Sequence, residues 1–170
     1  MTSATRIAVL LAISGIPAIA QIQPCNAAQL SATEDRREAD EIDGGLGHQA
    51  MTIVIQNRSA SRCVLDGVPA VLLTDHADNA SRVAACPNCI DYLFGPQPVA
   101  KITLTPNGSA YVVLGYLTEC RSAATLRFQL SDQHAGLRIA IAGVGSCGEL
   151  NVTPFLAKPP VDGFLPAFVK

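Results

Sequence analysis

The sequence contains no tryptophan, and aromatic residues make up only 5% of its 170 positions. An aromatic-lined platform for sugar has little to be built from. Basic clusters are missing too. The 12 lysines and arginines stand singly, apart from Arg36 and Arg37 amid acids, against 14 aspartates and glutamates. A formal net charge of −2 argues against nucleic acid, whose binding draws on grouped Lys and Arg. No internal repeat, Gly-x-Ser-x-Gly elbow or phosphate loop is present. No segment sustains a 3.6-residue apolar period, so a helical fold has no support.

Apolar runs long enough to span a bilayer are also lacking. The uncharged run Ile7 to Ala20 covers about 14 residues, where a spanning helix needs roughly 20. It follows Arg6, contains Pro17 and ends in Ala18-Ile19-Ala20, the small-x-small pattern of a cleaved secretory signal. The expectation is a signal peptide over 1–20, cut after Ala20, and one domain over 21–170. Removing Arg6 leaves 11 basic against 14 acidic residues, a net charge of −3. Cys25 follows Gln23-Pro24 and lacks a lipoprotein context. The product is expected to be secreted or periplasmic, with no membrane span once the signal is removed.

What is present is β pattern. The runs 51–57, 62–67, 70–75, 101–105, 110–118, 125–131, 137–143 and 148–155 are short, rich in β-branched residues and divided by turn residues. In 125–131, Leu126, Phe128 and Leu130 alternate with Arg127 and Gln129, the period of a strand half-buried in a sheet. Seven or eight such strands predict an antiparallel β-sandwich of two packed sheets. The segment 31–46 is almost all polar and reads as a solvated loop. Residues 76–99 read as a long inter-strand loop.

All six cysteines, Cys25, Cys63, Cys86, Cys89, Cys120 and Cys147, follow the signal. An even count in an exported chain points to disulfides, with 15 pairings open. Cys86-Pro-Asn-Cys89 has three readings: a redox pair, half a metal site, or a structural staple. A thioredoxin-type pair needs a helix starting at its first cysteine, and Gly95, Pro96 and Pro98 leave little room for one. A zinc ribbon needs a second matching pair, and the other cysteines are isolated. The staple is the preferred reading. Cys25 with Cys63, and Cys120 with Cys147, then pair at strand ends. The alternative is a thiol-disulfide or metal-handling protein using Cys86 and Cys89, helped by His76.

Other motifs are weaker. Asp75, His76, Asp78 and Asn79 suggest a cation loop but lack the glycine and glutamate of an EF-hand, so they read as a turn. The segment 143–148 is glycine-rich and is expected to link two strands of a hairpin. Asn57, Asn79, Asn107 and Asn151 each start a glycosylation triplet. His48 is either a ligand or acid–base group or, as preferred, a structural histidine at a sandwich corner. Asn57 is placed to cap a turn through its side chain, with Ser61 and Arg62 completing the corner, and Gly67 and Pro69 bracket the next turn.

Gly47-His48, Asn57, Cys63-Val64-Leu65-Asp66-Gly67 and Pro69, with the later Pro106, Gly108, Cys147 and Pro154, together resemble the secreted domain-of-unknown-function family 4232. Asn107-Gly108 stands where that family usually shows a single glycine. The resemblance covers most of the chain after the signal. It implies an exported, immunoglobulin-like sandwich with no established catalytic residue and no cofactor. The expected role is a non-catalytic module that binds a protein, polymer or small ligand, or supports the cell envelope.

Overall fold

Alternation decides which way the longest strand faces. Met51, Ile53 and Ile55 point to one side of the run, and all three are buried in the main core. The structure, a computed structural model, describes residues 21–35, 47–74, 77, 79, 85–89, 93–117, 125–129, 136–141 and 149–160. Ten strands lie within them: β1 Leu30–Glu34, β2 His48–Asn57, β3 Cys63–Leu65, β4 Ala70–Thr74, β5 Ala85–Pro87, β6 Ile102–Leu104, β7 Ser109–Leu117, β8 Thr125–Gln129, β9 Leu137–Ala140 and β10 Leu150–Val152. Among the described residues the sole helical piece is a 3-10 turn, Ala27–Gln29. No helix there is long and apolar enough to cross a membrane. The all-β reading holds.

Three sheets enclose one core. A five-stranded sheet runs β1-β2-β7-β10-β5, beside a two-stranded sheet β3-β6 and a three-stranded sheet β4-β8-β9. β2 and β7 form its centre, antiparallel from His48↔Leu117 to Gln56↔Ser109. Val112, Leu114 and Tyr116 of β7 share the core with Leu65, Ile102, Leu104, Leu73, Phe128 and Ile139 of the smaller sheets. Every sheet thus contributes one apolar face to the same interior, as a sandwich requires. On the outer face of the large sheet a second, smaller cluster joins Ala50 and Val113 to Leu93 and Phe94.

Two strands exceed the eight runs read from sequence, and both lie in segments read as loops. β1 occupies the start of the polar segment 31–46, paired with β2 from Leu30↔Asn57 to Glu34↔Ile53. An edge strand needs only one buried row, and Leu30 with Ala32 supplies it. A capping box feeds it: Asn26 Oδ1 accepts from the Gln29 amide at 3.1 Å, and Gln29 Oε1 accepts from the Asn26 amide at 3.0 Å. β5 lies inside 76–99 and pairs with β10 in parallel, Asn151 opposite Cys86. The antiparallel expectation therefore fails at this edge.

Residues 143–148 lie outside the described residues, and the strands that flank them do not pair as the expected hairpin. β9 and β10 belong to different sheets, because Leu150 and Val152 complete the core beside β7. The last strand is shorter than 148–155. After Val152↔Leu114 the chain gains one residue and pairs again at Leu156↔Tyr111. Pro154, which has no amide to give, sits in that bulge. The signal segment, Cys120, Cys147, His76, Asp75 and Asp78 lie outside the described residues.

Candidate functional site

Two corners of the sandwich hold several of the residues singled out by sequence. At the first, Asn57 ends β2 with no exposed surface. Its Nδ2 donates to the carbonyls of Ser61 at 2.8 Å, Thr105 at 3.2 Å and Leu104 at 3.3 Å. Its Oδ1 accepts from the Ser59 amide at 3.0 Å and hydroxyl at 2.8 Å. The side chain thus closes its own turn and ties it to the β6–β7 turn. There Pro106 precedes Asn107 at φ 61°, and the Gly108 amide donates to Thr105 O at 2.9 Å. Proline second and a left-handed third residue make a type II turn. A Cβ on Gly108 would meet Thr105 O at 3.0 Å. Ser61 joins this corner as read; Arg62 is exposed.

Cys25 reaches the same end of the molecule. Residues 23–25 run alongside β3, with the Cys25 amide on Val64 O at 2.9 Å and the Val64 amide on Gln23 O at 3.0 Å. The Cys25–Cys63 disulfide joins them across 4.7 Å between Cα atoms, and both cysteines lie in the core. Gly67 takes φ 81°, a conformation glycine adopts without strain, and its carbonyl accepts from Phe155 at 3.3 Å. Pro69 and Pro154 are buried nearby in sequence to it and to the bulge. His48 opens β2 at the opposite end, half-buried and across from Leu117, after Gly47 at φ 77°.

The second corner is the edge strand β5. Cys86 and Cys89 are joined by a disulfide, 5.6 Å apart at Cα. Asn88 between them takes φ 56°, a left-handed conformation that asparagine tolerates better than most residues. Its amide donates to Val152 O at 2.7 Å and extends the ladder to β10. Alternate amides face alternate sides of a strand, so Pro87 stands where an amide would face the open edge. Asn88 also clamps the following loop: Nδ2 donates to Gln97 O at 2.9 Å, and Oδ1 accepts from the Gln97 amide at 2.7 Å. That loop carries Leu93 and Phe94 onto the outer face of the sheet. From Leu93 onward it is irregular, and no helix follows the cysteines among the described residues.

Sequence reading missed Glu149. It precedes β10, two residues before Asn151, the partner of Cys86. Side chains two apart share a sheet face, which brings the carboxylate to the cysteines. The two sulfurs and a Glu149 carboxylate oxygen all lie within 4.8 Å of one another. Both cysteines are half-buried and Glu149 is exposed. A separation of sixty-odd residues carries no local signal; only the parallel pairing of β5 with β10 creates the cluster.

The model of a domain of unknown function, DUF4232, matches residues 25–156. No curated protein and no solved structure matches.

Proposed function

The chain belongs to the DUF4232 family, and on that footing we propose that it is an exported, non-catalytic β-sandwich module that binds a partner or supports the cell envelope. The observation that carries this reading is the Cys25–Cys63 disulfide. It lies within the core and links segments 38 residues apart. Disulfides of this kind form and persist in oxidising compartments, and the sequence begins with the pattern of a secretory signal. The family description names no activity. The densely bonded residues Asn57 and Asn88 tie turns and loops together, which suits a rigid scaffold for recognition.

Fractionation of expressing cells tests the reading, with N-terminal sequencing and peptide mapping of the recovered protein without reduction. The expected product begins at Gln21, is found outside the cytoplasm and carries a Cys25–Cys63 peptide pair. Cytoplasmic protein that begins at Met1 with Cys25 and Cys63 reduced would overturn it.

A further inference from the structure

We propose that Cys86, Cys89 and Glu149 form a redox-gated site for one divalent cation of borderline softness, with zinc as its best fit. The site goes beyond the scaffold role and does not depend on it. The two sulfurs, bonded to each other here, must part, and the Glu149 oxygen, within 4.8 Å of both, must close, to the roughly 3.5–3.8 Å edges of a tetrahedron with zinc–sulfur bonds near 2.3 Å. The Glu149 side chain is exposed and has room to make that movement. The cysteine backbone is held already. Asn88 is bonded to Val152 on one side and Gln97 on the other, so the two cysteines keep their spacing when their covalent bond opens.

Gating follows from cysteine chemistry, since the thiolate is the ligand and disulfide sulfur is not. A dithiol reductant supplies two electrons and two protons; the S–S bond breaks to two thiols, and the dithiol becomes its own disulfide. The cation then binds both sulfurs as thiolates and releases two protons. Glu149 adds the third bond, and a water completes four-coordination, as at open zinc sites. The carboxylate also sets selectivity. Two thiolates alone suit Cu(I), whereas adding a hard oxygen favours a divalent ion.

The test uses the full exported chain, reduced with a water-soluble phosphine, freed of it, and titrated with Zn²⁺ against a chromophoric chelator. Co²⁺ serves as an optical probe of thiolate ligation. One equivalent should bind after reduction and none before. Cys86→Ser with Cys89→Ser should abolish binding. Glu149→Gln should fold normally, being at an exposed position, and weaken zinc binding by at least about tenfold. Equal affinity in Glu149→Gln and the parent would overturn the proposal. So would zinc retained by the double serine variant, binding by the oxidised protein, or a reduced protein that takes Cu(I) but not Zn²⁺.

Discussion

The two disulfides among the described residues sit in opposite settings. Cys25–Cys63 spans 38 residues with both cysteines in the core; Cys86–Cys89 spans three at an edge, half-exposed. The first replaces a missing strand partner, because residues 23–25 pair with β3 only through a short ladder. The second is surrounded by hydrogen bonds that hold the same turn without it. A cross-link thus stabilises most where backbone pairing is thin and the enclosed loop is long, and it is free to do chemistry where pairing is already sufficient.

The sharpest way to break this comparison is to remove the core bond. Cys25→Ala with Cys63→Ala should lower unfolding free energy by about 4 kcal/mol from loop entropy alone, read as a fall in the urea midpoint. A smaller loss than that from the edge pair would reverse the comparison. Asn57→Ala should come next, at about 3 kcal/mol, because the buried carbonyl of Leu104 and the part-buried carbonyls of Ser61 and Thr105 lose a shared donor. Combining it with the cysteine variant in a double-mutant cycle measures whether the two devices at this end support each other. Replacing Cys86 and Cys89 by Ser should cost at most about 2 kcal/mol. Its signature should be faster amide exchange at Asn88 and Gln97, with the sheet centre unchanged.

Tyr116 gives the smallest effect. Burial, and secondly the charge of Glu34, raise its hydroxyl above the ordinary value of 10.0. The folded state therefore holds the proton more firmly than the unfolded chain. This contribution is complete below about pH 10 and is lost as pH rises through the raised folded value. Tyr116→Phe should change stability by under about 1 kcal/mol at neutral pH, since its bond to Gln49 is long at 3.4 Å. It should also flatten part of the loss of stability expected as pH rises above about 10. An unchanged alkaline slope would remove Tyr116 from that role.

What could be read in advance was whatever sequence encodes locally. Met51, Ile53 and Ile55 announce a buried strand by their period, and Pro106-Asn107-Gly108 announces its turn by conformational preference. β1 and β5 escaped because an edge strand needs few apolar residues, and its remaining bonds go to backbone that any sequence provides. The Asn57 corner was partly legible: its own turn was evident, but its reach to Leu104 and Thr105 depends on two turns meeting. Glu149 was invisible for a stronger reason. Its place beside Cys86 exists only because β10 leaves β9 for another sheet and pairs in parallel with β5.

The burial of Asn57 also bears on how the chain matures in a host that glycosylates its exported proteins. Asn57-Arg58-Ser59 and Asn151-Val152-Thr153 are acceptor triplets whose asparagines are buried once folded, whereas Asn79 and Asn107 are exposed. A glycosylating secretory pathway meets the chain while it is still extended. Sugar attached to Asn57 Nδ2 at that moment would occupy the atom that three carbonyls require and would have no volume in which to lie. Maturation there becomes a race between the transferase and the closing of one turn, and molecules that lose the race cannot complete the corner.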